Sequence, residues 1–155
     1  MDRTAYAPLS GKVKQMTRYT GFTKEIWEAF RADARPGPVQ MLNLIKLRER
    51  ADYPDGRVAS GRDAYAEYSR ISAPVLERLG GRIVWRGGFE LMLIGPQAEA
   101  WDICFIAEYP SVGAFAQMMR DPAYHEALPH RQAGVTDSRL VRFAPQPTGV
   151  NFAGG

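Results

Sequence analysis

Gly80-Gly-Arg-Ile-Val-Trp-Arg-Gly-Gly-Phe-Glu-Leu-Met-Leu-Ile-Gly95, followed after a polar break by Trp101-Asp-Ile-Cys-Phe-Ile-Ala-Glu-Tyr109, decides the fold. Two apolar, β-prone runs with a Gly- and Pro-containing break between them spell an antiparallel hairpin. Gly87-Gly88 falls inside the first run. It reads as a bulge in one long strand from Arg82 to Ile94, because the count of antiparallel strands then comes out even. Gly95-Pro96 starts the turn, and Trp101 to Tyr109 is the return strand.

Upstream of the hairpin, Ser60 with Asp63 three residues on makes a capping-box-like start. Tyr65, Tyr68, Ile71, Ser72, Val75 and Leu79 follow at helical spacing, and Gly80-Gly81 ends the helix. Pro74 lies inside this pattern and is expected to kink the helix or shift its start. Val39 to Leu47 is a strand with two largely apolar faces, Val39/Met41/Asn43/Ile45/Leu47 and Gln40/Leu42/Leu44/Lys46. It is expected to be central and covered on both sides. Between them, Arg48 to Ala59 is a long polar loop with the turn signal Tyr53-Pro-Asp-Gly56, the pattern of a lid or an edge decoration. Further upstream, Thr20 to Asp33 is helical, with Thr23 as cap and Ile26, Trp27 and Phe30 as an apolar stripe. Residues 1–19 are polar and without periodicity.

Downstream, Ser111 leads into a helix over Val112–Arg120. Asp121-Pro122 starts another that runs to about Ala133, with Asp at the cap and Pro at the first helical position. Ser138 to Phe143 is the last strand. Three segments result: an arm and helix over 1–37, a domain over 38–144, and a loose Pro- and Gly-rich tail over 145–155. With the leading helix set aside, the order is strand, helix, strand, strand, helix, strand. This is the split plan of a ferredoxin-like α+β plait with an antiparallel sheet. Helices cover one sheet face. The other face is apolar too, so a second copy is expected to cover it, closing a dimeric α+β barrel.

The chain of 155 residues carries a net charge of +3, with 45% hydrophobic and 24% charged residues. Lys and Arg are scattered rather than striped, which argues against a nucleic-acid partner. No run approaches membrane-spanning length and no apolar leader is present, so neither a membrane partner nor export is expected. One cysteine, Cys104, cannot form an internal disulfide. Cytoplasmic residence is the expectation.

The blocks now reach a resemblance. Gly80-Gly81-Arg82-Ile83-Val84-Trp85-Arg86-Gly87-Gly88, then Glu108-Tyr109-Pro110-Ser111 with Ala114-Phe115, then Asp121-Pro122-Ala123-Tyr124, Arg131 and Asp137-Ser138-Arg139-Leu140 stand in order. Together they resemble the bacterial family known as domain of unknown function 1330, over roughly Val39 to Phe143. The resemblance implies the dimeric α+β barrel fold and brings no established activity. The leading helical segment and the Arg48–Ala59 loop are longer than the minimal family pattern.

Candidate chemistry is sparse. His125 and His130 are five apart, about 140° round a helix, so they do not form a paired zinc motif. No phosphate loop, dinucleotide fingerprint or serine elbow occurs. No metal and no cofactor are expected. Charges within apolar strands stand out, because a buried charge must be paired. Arg86 and Glu108, on the two arms of the hairpin, are expected to pair. In a barrel cavity Arg86 would bind an anionic or carbonyl oxygen, and Glu108, with its pKa raised by apolar surroundings, would move a proton. His130 joins them as a third candidate catalytic group, and Arg131 lies beside it at the mouth. Asn43, Lys46, Tyr68 and Trp85 complete the candidate ligand-binding set. The expected function is binding of a small organic molecule, with cofactor-independent chemistry of the monooxygenase, isomerase or decarboxylase kind by analogy of fold. The alternative is a non-catalytic metabolite-binding or assembly module.

Overall fold

Eight elements follow one another in a computed structural model that describes residues 17–154. They are α1 (Lys24–Ala32), β1 (Val39–Leu47), α2 (Gly61–Arg78), β2 (Arg82–Gly87), β3 (Ile103–Tyr109), α3 (Val112–Arg120), α4 (Pro122–Gly134) and β4 (Val135–Phe143). The helix starts are set locally. Thr23 Oγ1 accepts from the Ile26 N–H, Ser60 Oγ from the Asp63 N–H and Ser111 Oγ from the Ala114 N–H, at 3.1, 2.9 and 3.0 Å. Asp121 caps α4 and also receives Arg78 at 2.9 Å, whose guanidinium holds the carboxyl below its ordinary range. At the end of α2, Gly80 takes φ +82° and the Gly81 N–H reaches back to the Leu76 carbonyl, closing the helix. The shifted start that Pro74 could have imposed does not occur: α2 begins at Gly61 behind its Ser60 cap and runs past Pro74 to Arg78. Pro74 stands on the exposed side of the helix, where one lost N–H bond is tolerated.

The sheet is antiparallel with strand order β2-β3-β1-β4, the ferredoxin-like plan. Val39, Met41 and Ile45 of β1 and Ala107 and Tyr109 of β3 are buried beneath the helices, with Val75, Phe115, Met118, Tyr124 and Val135. Each large aliphatic or phenylalanine side chain among them contributes about 1.5–3 kcal/mol relative to exposure. On the opposite, open face the register aligns Val141, Leu42, Ile106 and Trp85 in one row across all four strands. Among the described residues, no helix is long and apolar enough to cross a membrane.

Three expectations are corrected. The first hairpin arm ends as a strand at Gly87, and its bulge lies at Val84, between Ile83 and Trp85. Residues 88–94 form no strand. The 48–59 loop is no lid. The Ala51 N–H donates to Ala59 O, the Asp52 N–H to Ala133 O, and Tyr53 is buried against Ala51, Ala64 and Ala133. Finally, β4 starts at Val135, directly after α4.

The polar arm expected over 1–19 falls mostly outside the described residues. Its end, with Thr20–Phe22, is a strap that wraps the edge strand β4. Arg18 reaches Thr136 Oγ1, the Tyr19 N–H donates to Asp137 Oδ1 at 2.9 Å, and Ser138 Oγ donates to Tyr19 O at 2.6 Å. Covering β4 this way protects an otherwise open sheet edge. Burial pushes the Asp137 carboxyl up. The Tyr19 N–H, Arg139 at 2.9 Å and the Ser138 N–H outweigh it, and the net pKa lies below the ordinary value of 3.8. A carboxyl depressed in the folded state stabilises above its unfolded pKa, and that contribution is lost as pH falls through the folded value. Strap docking is therefore constant at neutral pH and weakens only below pH 3.8. The Tyr19 amide resonance should titrate with a midpoint under that value and should stop titrating in Asp137→Asn. A midpoint at or above it would contradict the account.

Candidate functional site

A gap in the burial pattern marks the site. On the helix-covered face, Met41 and Ile45 are 4% and 0% exposed, yet Asn43 between them is half-buried. The register sets Asn43 opposite Phe105 of β3 on one side and Leu140 of β4 on the other. Phe105 is half-buried too, and Leu140 is 39% exposed. Partial exposure thus runs along one cross-strand row of the helix-covered face. The strap lies to one side of this row. It touches β4 at Ser138, and α1 is tied down again at Arg142, which donates to Phe30 O and Asp33 O at 3.2 and 2.7 Å. Leu140 lies between these two anchor points.

Above the row stands Tyr68 of α2. With Phe105 it packs against both halves of the core and so bridges them. Its hydroxyl is 2.9 Å from the Tyr124 hydroxyl of α4, and its ring is tilted on that of Tyr65 at 5.2 Å. Burial drives the Tyr124 and Tyr65 hydroxyls far up, against the smaller opposing pull of the Arg131 cation, so both stay neutral and able to donate. Arg131 itself donates to the Thr20 carbonyl at 2.9 Å, joining α4 to the strap. The Asn43 amide donates to Met41 O, and among the described residues its oxygen has no partner. The arrangement offers an apolar floor (Phe105, Leu140), neutral hydroxyl and amide groups, and one cation. That set suits an organic molecule with an apolar body and an oxygen-bearing end.

The sequence-derived candidates divide between two faces. Asn43, Tyr68 and Arg131 lie together on the helix side, and Arg86, exposed, ends the same row opposite Phe105. Lys46, Trp85 and Glu108 belong to the open face. The expected Arg86–Glu108 pair is not formed. Glu108 binds Arg82 at 3.2 Å and the Gln40 amide at 2.9 Å. The bulge at Val84 is the reason: one extra residue turns Arg86 to the face away from Glu108. His130 faces the anchored loop, with Nδ1 2.6 Å from the Tyr53 hydroxyl. Sequence reasoning passed over Tyr124 and Leu140 as site residues. Tyr124, Ala127 and Arg131 share one helical face by spacing, which was the available signal for Tyr124; Leu140 carried none. Among the described residues no group of three or more His, Cys, Asp or Glu is placed to hold a metal ion. The Cys104 thiol, on the open face, has its pKa raised by burial and by Asp102, and is correspondingly unreactive.

Sheet order and helix placement together define an α+β plait of ferredoxin-like type. Residues 59–143 match the domain of unknown function DUF1330, and the chain belongs to that family. Two crystal structures of RPA0582, a protein of unknown function from Rhodopseudomonas palustris, are similar over most of this chain. The methylated form is 61% identical, covers 87% of this chain and 100% of its own, and superposes with a TM-score of 0.84. The other form is 59% identical over 85% and 100%, with a TM-score of 0.82. SnoaB, a cofactor-independent oxygenase from Streptomyces nogalater, is a remote likeness at 16% identity over 72% and 96%, TM-score 0.46, and its properties do not transfer at that level. No functionally curated protein matches the chain.

Proposed function

We propose that this protein is a homodimeric α+β barrel that binds a small organic molecule in the cleft over Asn43, Phe105 and Leu140. The half-buried Asn43 between the buried Met41 and Ile45 on the same face carries the reading, because a sheet interior with nothing to admit would be closed there. Tyr68 and Asn43 supply hydrogen bonds to the ligand's oxygen atoms, Arg131 draws its negative end, and Phe105 packs its apolar body. Arg86 guards the far end of the row. Binding, rather than proton transfer by Glu108 or His130, is the role this geometry favours, since neither of those groups faces the row.

A thermal-shift screen of small carboxylic and phenolic compounds tests it. A stabilising compound should lose about tenfold or more in affinity in Tyr68→Phe and in Arg131→Ala, the effect of one hydrogen bond to a charged or buried group. Glu108→Gln should bind as the parent does. A ligand indifferent to the first two substitutions but abolished by the third would move the site to the open face.

A further inference from the structure

Residues 88–94, Gly-Gly-bordered Phe89-Glu-Leu-Met-Leu-Ile94, are apolar and strand-forming in composition, yet they form no strand in the protomer. Leu91, Leu93 and Ile94 are 70%, 81% and 92% exposed. Three adjacent large aliphatic groups in water are costly for a chain that could have turned them inward. The segment is held at its root. Beyond it, Glu99 pairs with Arg139 on the open face at 3.4 Å, and the Arg139 guanidinium lies between the rings of Trp101 and Tyr19, 5.0 and 4.9 Å away. The Asp102 N–H donates to Ile45 O, and its carboxylate accepts from the Leu47 N–H at 2.7 Å. The arm therefore springs from the rim of the open face and is continuous with its apolar row Val141, Leu42, Ile106 and Trp85.

We propose that residues 88–94 form an arm that docks on a second copy of this chain, over the rim of its open face. This rests on the homodimer reading and adds the element that locks it. The arm and the face are both uncovered in the protomer, both are apolar, and they share one border, so twofold pairing covers both at once. Charge agrees. Glu90 is the arm's one charge, and Lys46 of the open face has no ion-pair partner among the described residues. Because its root is fastened, the arm gives up little conformational freedom on docking.

The test compares parent, Leu91→Ser/Leu93→Ser, and a single-cysteine protein (Ile94→Cys in a Cys104→Ser background) labelled with a photoactivatable benzophenone. Circular dichroism confirms the fold, and sedimentation at several concentrations gives the dimer constant. The double variant should weaken dimerisation about a hundredfold or more, the effect of leaving two leucines in water, and irradiation should yield covalent dimers. A parent dimer whose constant is unchanged by the double variant, with no covalent dimer on irradiation, overturns the arm and leaves the dimer standing. A parent that sediments as a monomer throughout overturns both.

Discussion

Gly61→Ala should cost about 3 kcal/mol of stability or more, and lower the urea midpoint by about 1.5 M at unchanged slope. A Cβ at position 61 would lie 1.9 Å from the Arg48 carbonyl oxygen and within 3 Å of the Arg48 backbone carbon and nitrogen. None of those atoms can give way. The Arg48 N–H is spent on the Gly134 carbonyl at 2.7 Å, and the Gly61 N–H on Glu49 O at 3.3 Å. The exit of β1, the start of α2 and the end of α4 cross at this point, and Gly134 is its other half, since a Cβ there would meet Gly61 O at 2.7 Å. Gly134→Ala should therefore destabilise in the same direction. Gly113→Ala, in the first turn of α3 with only the Ser111 hydroxyl near at 3.7 Å, is the control and should be neutral or gain up to about 1 kcal/mol. A Gly61→Ala protein within 1 kcal/mol of the parent would mean the crossing is looser than these distances require.

The same crossing shows what the sequence does and does not carry. Both β1 and α3 have the ranges their alternation and caps predict, because alternation and an N-cap serine act over a few residues. Residues 88–94 are as apolar and strand-forming in composition, but a strand needs a partner. Gly87 already pairs with Cys104, next to the start of β3, and the chain beyond Gly87 has nothing opposite it. The bulge at Val84 is invisible in a run of apolar residues, yet it decides that Trp85 faces the open side and Arg86 the helices. That one residue dissolved the acid–base pair expected from Arg86 and Glu108, while Asn43, Tyr68 and Arg131 fall on the helix side whatever the register of β2. The strap was out of reach altogether, since Tyr19 and Asp137 meet across 118 positions. A lone Arg139 in a strand gives no sign that two aromatic rings and two carboxylates will gather round it.

Leu42→Lys should turn the proposed homodimer into a monomer, with the dissociation constant raised at least about a thousandfold, roughly 4 kcal/mol. Leu42 is the middle of the row Val141, Leu42, Ile106 and Trp85, so a lysine there would sit at the centre of a dehydrated contact with no acid within the row to meet it. Val141→Lys is the variant that keeps the outcome readable. Val141 is on the edge strand and already 41% exposed, so the protomer folds as before, and dimerisation should still weaken by about a hundredfold. Sedimentation equilibrium reads both, and parent-like dimers from the two variants would remove the open face as the interface. The cleft provides the complementary half of the argument. Leu42 and Asn43 are consecutive and point to opposite sides of one sheet. A monomeric Leu42→Lys protein should therefore keep the Tyr68- and Arg131-dependent ligand affinity, unless the partner's arm helps close the cleft. Retained affinity in the monomer assigns assembly to one face and recognition to the other, whereas affinity lost together with the dimer makes the second copy part of the binding site.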